Sequence, residues 1–154
     1  MRRASLWVMV LVLAAAGAAT VGCGKGAGSS GSGSATAAGA AALPWERDLP
    51  KALARASDEK KLVMVDFYTD WCRWCQRMDQ TTFADAKVQK ALERVVSVKL
   101  NAEKDGRAAA TRLSVDGYPT IVFLDPNGGE VGRIPGYLEP GPFLAELEDI
   151  LKRA

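Results

Sequence analysis

Apolar and polar positions along the chain fall into blocks of changing period. An apolar stretch runs from Leu6 to about Ala19, and a stretch of nearly all Gly, Ser and Ala runs from Gly24 to Ala42. Beyond these, Leu49 to Ala56 predicts an entry helix, with Asp48 as its cap and Pro50 in the first turn, where a missing N–H does no harm. Lys60 and Lys61 lead into Leu62 to Tyr68, a run apolar enough for a strand covered on both faces. A helix from Cys72 to about Gln80 should follow, then a second helical stretch from Phe83 to Leu92 with a break near Asp85. Val95 to Leu100 alternates apolar and polar positions as a strand does, and the alanine-rich stretch Asp105 to Leu113 is helical. Asp125-Pro126-Asn127-Gly128-Gly129 is dense in turn formers, so Ile121 to Leu124 and Val131 to Ile134 should pair as a hairpin. Pro140 starts a closing helix whose Phe143, Leu144, Leu147, Ile150 and Leu151 share one face, with Glu146, Glu148 and Asp149 away from it. Helices alternating with strands, followed by a hairpin, predict an α/β sandwich around a mixed central sheet. There is no internal repeat and no nucleotide-binding glycine motif.

The chemistry is concentrated where the first strand ends, in Val65-Asp66-Phe67-Tyr68-Thr69-Asp70-Trp71-Cys72-Arg73-Trp74-Cys75. Residues three apart lie on one helix face, so a helix starting near Cys72 lets the two sulfurs close a disulfide or open it. The nucleophile in thiol exchange is the thiolate, which the unpaired N–H groups and positive dipole end of a helix N-terminus favour. Arg73 adds a full positive charge beside Cys72. A depressed Cys72 pKa is therefore expected, in the range of ~3.5 to 7.5 typical of such motifs. Cys75, a turn deeper and followed by Met78, is expected to be more buried and to act second. Asp66 interrupts the apolar run. Burial would raise its pKa and suit it to exchange a proton with Cys75; the alternative is a carboxylate that caps a neighbour or reaches solvent at the strand end.

The segment Asp66 to Cys75 resembles the active-site segment of the thioredoxin superfamily, with Gly117-Tyr118-Pro119-Thr120 where that family places its cis-proline. Thr82-Phe83, the spacing to Val88-Gln89-Lys90-Ala91-Leu92, and the strand Pro119 to Phe123 look like the C-terminal periplasmic domain of bacterial transmembrane thiol:disulfide interchange proteins. Small thioredoxin-like lipoproteins look similar. The resemblance covers about residues 45 to 152 and implies a thioredoxin-like three-layer sandwich, a mixed central sheet with helices on both faces. It also implies that Cys72 and Cys75 are catalytic with Asp66, that Trp71, Tyr118 and Pro119 form the docking surface for a substrate chain, and that Arg73 and Trp74 tune the thiolate. Two departures stand out: Arg73-Trp74 replaces the Gly-Pro of cytosolic thioredoxins between the cysteines, and Gln76 replaces a frequent lysine.

Cysteine arithmetic narrows the options. Of three cysteines, Cys23 lies at the end of the leader, leaving one pair in a chain without histidine. A structural zinc site needs four ligands, so no metal is expected, and Gln76 stands where haem attachment requires a histidine. A purely structural Cys72–Cys75 bridge would close too short a loop to stabilise much. No cofactor is expected.

The N-terminus supplies the setting. Arg2 and Arg3 followed by the apolar stretch have the pattern of an export signal, too short and too rich in small residues for a comfortable membrane span. Thr20-Val21-Gly22-Cys23 resembles a bacterial lipobox with threonine where leucine is usual, which implies lipidation of Cys23; cleavage near Ala16-Gly17-Ala18 by an ordinary signal peptidase is the alternative. The linker Gly24 to Ala42 cannot bury enough apolar surface to fold, and its 19 residues would reach roughly 22 to 26 Å as a flexible coil. The reading is a signal peptide over residues 1–22, a lipidated cysteine and linker over 23–42, and a thioredoxin-like domain over 43–154. Once Arg2 and Arg3 leave with the leader, the 20 basic residues become 18 and match the 18 acidic ones. Such a balance gives no reason to expect nucleic acid.

These features point to a thiol-disulfide oxidoreductase of the cell envelope, exported, lipid-anchored and monomeric. It would reduce protein disulfides and be recharged by a membrane electron donor. Two other readings stay open: a disulfide oxidase or isomerase, since a low Cys72 pKa makes a more oxidising couple, and a non-catalytic binding module that has kept the fold.

Overall fold

The computed structural model describes residues 43–154; the leader, Cys23 and the linker lie outside the described residues. The elements in chain order are α1 (Leu49–Glu59), β1 (Leu62–Tyr68), α2 (Arg73–Gln80), α3 (Ala86–Leu92), β2 (Val95–Asn101), α4 (Arg107–Arg112), β3 (Thr120–Leu124), β4 (Glu130–Pro135) and α5 (Pro140–Arg153). The sheet order is β2-β1-β3-β4. β1 runs parallel to β2 and antiparallel to β3, which pairs with β4 as the expected hairpin, with a register shift at Phe123/Leu124. The segment before α1 adds to the edge, where Glu46 N–H donates to Ser97 O at 2.9 Å and Lys99 N–H to Glu46 O at 3.0 Å.

Alternation along β1 decides what lies on each face. Val63, Val65 and Phe67 join Leu49, Ala52 and Ala56 of α1 and Ala110 of α4 in one core. Met64 points the other way, into a second core with Met78 of α2, Val88 and Leu92 of α3, and Phe143, Leu147 and Ile150 of α5. Helices thus cover both faces, which is the thioredoxin-like sandwich. Asp66 shares the parity of Met64 and so faces the α2 layer.

The differences from the expected elements have local causes. α1 continues to Glu59, until Lys60 turns into the left-handed region (φ 52°) and its N–H closes on Ala56 O and Ser57 O. The break near Asp85 is a helix start: its carboxylate accepts from the N–H groups of Lys87 and Val88, so α3 begins at Ala86. α4 begins two residues late because the Asp105 carboxylate is turned back to accept from Asn101 N–H at 3.0 Å. β2 alternates in sequence yet is buried throughout, since both its faces are covered.

Gly106 supports that last turn by proximity. A Cβ there would stand 2.7 Å from Leu100 Cβ and 2.9 Å from Asn101 O, and neither β2 atom has room to retreat. Gly106→Ala is expected to destabilise the domain by about 1–3 kcal/mol, read as a lowered urea midpoint; an unchanged midpoint would mean that the 101–106 turn gives way freely.

Candidate active site

Cys72 occupies the N-cap of α2 with extended backbone (φ −73°, ψ 99°), and Cys75 lies in the first turn. The two form a disulfide with an S–S distance of 2.08 Å. Cys75 N–H donates to Cys72 Sγ at 3.1 Å. That donor is one of the orphan amides of the helix start, and it is aimed at the sulfur that would carry the thiolate. The expected difference in burial is absent: Cys72 is 4% and Cys75 3% exposed in this oxidised form. It is the amide on Cys72 Sγ that distinguishes the two sulfurs. Arg73 is exposed to solvent at the mouth of the site.

Asp66 of β1, Lys99 of β2 and Asp79 of α2 form a charged triplet that neighbours along the chain do not reveal. Asp66 is 1% exposed, which rules out the reading in which it reaches solvent. Its register partner on β2 is Lys99, whose Nζ donates to Asp66 Oδ2 at 2.8 Å and also to Asp79 on α2. The other Asp66 oxygen, Oδ1, is buried without a partner. Burial pushes the Asp66 carboxyl above the usual carboxylate range, against the pull of the Lys99 charge and hydrogen bond. Lys99 itself is raised: burial alone would lower it, and the two carboxylates outweigh that. Its ammonium also lies over the rings of Trp45 and Tyr68, each at 5.2 Å, and of Phe83 at 5.6 Å. A cavity of about 410 Å³ opens beside it, lined by Trp45, Asp79, Phe83 and Lys99 among others. The buried carboxylate therefore connects through one ammonium to Asp79, whose side chain is 43% exposed.

The rim carries the remaining residues singled out in the sequence. Tyr118–Pro119 is a cis peptide bond. Trp71 meets the Tyr118 ring edge to face at 6.0 Å, and its Nε1–H donates to Glu103 Oε1 at 3.1 Å. Trp74 is 57% exposed and lies against the Tyr137 ring at 5.4 Å. Tyr137, in the loop after β4, was not singled out in the sequence. Among the described residues no three His, Cys, Asp or Glu side chains converge as a metal ion would require. A larger cavity, about 470 Å³, sits between α1 and α4 and holds neither cysteine nor any rim residue.

The family profile of the thioredoxin-like domain matches residues 49–151, most of the chain. The chain belongs to that family. The thioredoxin-like domain is 36% identical over 110 residues to the thiol:disulfide interchange protein DsbD of Cronobacter sakazakii, covering 68% of this chain and 19% of that protein. With DsbD of Ralstonia nicotianae it shares 36% over 111 residues, 70% of this chain and 18% of the relative. It thus spans about a fifth of the length of the curated relatives it matches. Among solved structures, a thioredoxin from Thermus thermophilus superposes with a TM-score of 0.64 at 36% identity, over 71% of this chain and 88% of that one. The oxidised C-terminal domain of Neisseria meningitidis DsbD gives 0.58 at 23% identity over 68% and 97%, a likeness of fold. The domain is thus thioredoxin-like, with a Cys-x-x-Cys pair at the start of α2. An amide faces Cys72 Sγ, a carboxylate is buried within β1, and Trp71 and Trp74 stand exposed on either side of Cys72 in the chain.

Proposed function

We propose that this chain is a protein-disulfide reductase of the cell envelope, tethered to the membrane through a lipid on Cys23. The observation that carries the reading is the Cys75 N–H aimed at Cys72 Sγ from the start of α2. In the reduced protein the Cys72 thiolate attacks one sulfur of a substrate disulfide. A bond forms between that sulfur and Cys72, and the other substrate sulfur leaves as a thiolate. Cys75 then loses its proton and attacks Cys72 Sγ, closing the Cys72–Cys75 bond and releasing the second substrate thiolate. Two electrons have passed to the substrate, and a dithiol carrier in the membrane must return them. Asp66 accepts the Cys75 proton, while Lys99 and Asp79 hold a compensating charge near it. Arg73 adds to the thiolate's stabilisation, and Trp71, Tyr118 and Pro119 seat the substrate chain.

Direction is decided by the midpoint potential of the Cys72/Cys75 couple in graded thiol buffers, followed by thiol alkylation. A value near ~−270 mV is expected for a reductase. A value near the ~−120 mV of strong oxidants would assign disulfide formation instead. A pair that never equilibrates with the buffer would leave a binding module.

A further inference from the structure

Trp71 and Trp74 are the large apolar side chains left exposed among the described residues, at 65% and 57%, and each immediately precedes one cysteine of the pair. On the Trp71 side the neighbours are acidic. Glu103 accepts from the indole, and Asp116 is exposed two residues before Tyr118. Asp70 is already matched, by Lys104 at 2.6 Å and by the Asn101 amide at 2.8 Å. On the Trp74 side the balance is reversed. Arg73 is exposed and enters none of the ion pairs found among the described residues, and Arg77 has a long ion pair with Glu139 at 3.6 Å, both side chains more than half exposed, while its Nε–H donates to the Tyr137 hydroxyl at 3.4 Å.

The Trp74 side is also built as a firm surface. Tyr137 supports the indole and is itself held by Thr81 Oγ1 at 3.1 Å from its hydroxyl, with the Arg77 guanidinium over its ring at 5.6 Å. The preceding Gly136 donates its N–H to Pro119 O at 2.8 Å. The shelf is therefore tied to the cis-proline rim, and little ordering remains to be done when a ligand arrives.

We propose that Trp74, Tyr137, Arg73 and Arg77 form a specificity shelf for the partner protein's disulfide-bearing segment, selecting an apolar side chain next to its cysteine and a carboxylate beyond it. This rests on the oxidoreductase reading above and adds the chemistry of its partner. The apolar side chain lies on the Trp74–Tyr137 face, and the carboxylate meets the two guanidinium groups, Arg73 giving up no ion pair to a described residue. The acidic rim at Glu103 and Asp116 sets the orientation, because it repels a carboxylate placed on the other side of the partner cysteine.

The test uses the reduced full-length protein and three otherwise identical peptide disulfides, containing Glu-Phe-Cys, Lys-Phe-Cys or Glu-Ser-Cys. Each second-order rate constant is divided by that for hydroxyethyl disulfide, a neutral probe with no flanking residues. The Glu-Phe peptide is expected to exceed the Lys-Phe peptide by about tenfold at low ionic strength, a preference that fades in about 1 M salt. Arg77→Gln should cut the charge preference to about threefold or less, and Tyr137→Ala should erase the preference for Phe over Ser. Equal or reversed normalised rates in the unaltered protein, with hydroxyethyl disulfide still reduced, would overturn the shelf and leave the reductase intact. No reduction of any of the disulfides would overturn both. Dimers in sedimentation that dissolve in Tyr137→Ala would give the shelf to a second copy of the chain, and the proposal would fall.

Discussion

Cys72→Ser is expected to abolish reduction of a protein disulfide such as insulin, a loss on the order of 10³-fold or more, because a serine hydroxyl is neither ionised near neutral pH nor able to form the mixed disulfide. Cys75→Ser should behave differently. It retains the nucleophile under the Cys75 amide, so a single attack proceeds and a covalent adduct with the substrate accumulates, visible on a non-reducing gel. Both variants lack the Cys72–Cys75 crosslink, so the fair comparison is with the reduced wild-type protein. The pattern sorts the readings. An adduct in Cys75→Ser and none in Cys72→Ser supports Cys72 as the attacking sulfur, and the reverse would assign the attack to Cys75. A partner retained equally by both variants, without any covalent adduct, would support a binding module instead.

What was legible in the sequence was whatever depends on neighbours along the chain. β1 could be bounded at Leu62 and Tyr68 because an apolar run with charged lead-in residues has one reading. The hairpin followed from five turn formers between two apolar runs, and the dithiol's place at a helix start followed from the three-residue spacing. Pro119 needed more than local reasoning, and its position in family order supplied it. The charged triplet was not legible. Lys99 sits in Val95-Val96-Ser97-Val98-Lys99-Leu100-Asn101, where alternation marks a strand and says nothing of what covers its polar positions. Only the parallel register opposite Asp66, together with the α2 layer above, makes Lys99 a buried partner. Asp79 reads in sequence as one more polar residue on a short helix. Yet a signal was present: a carboxylate inside an apolar strand demands a cation, and Lys99 is the basic residue within the neighbouring strand. Tyr137 left no such trace, since its contact with Trp74 joins two segments 63 positions apart through the geometry of the cis-proline rim.

Asp66→Asn is expected to slow resolution of the mixed disulfide by about a hundredfold at neutral pH, and also to change how stability depends on pH. The carboxyl is raised in the folded protein above its unfolded value of 3.8 because burial outweighs the help of Lys99. The native state therefore binds a proton more tightly than the unfolded chain does. Its contribution to stability is fully present below the unfolded pKa and is lost as pH rises through the folded one. Lys99 is raised from 10.5 by Asp66 and Asp79, so its own contribution holds below that value and is lost only at still higher pH. Between acid and mild alkali the Asp66 titration is thus the one of the pair that tilts the curve. Asn cannot ionise, so the variant should lack that descending limb. It also removes a hydrogen-bond partner of the buried Lys99 ammonium, which offsets the variant from wild type. The urea midpoint of Asp66→Asn minus that of oxidised wild-type protein should therefore rise between pH 4 and 9, whatever its sign at pH 4. Parallel curves would show that Asp66 is ionised throughout, held so by Lys99, and a carboxylate in that state would serve as a fixed charge beside the dithiol. The kinetic arm then separates the two roles: a fixed charge would act mainly through the Cys72 or Cys75 pKa, displacing the pH profile of resolution, whereas loss of a proton acceptor lowers the plateau itself.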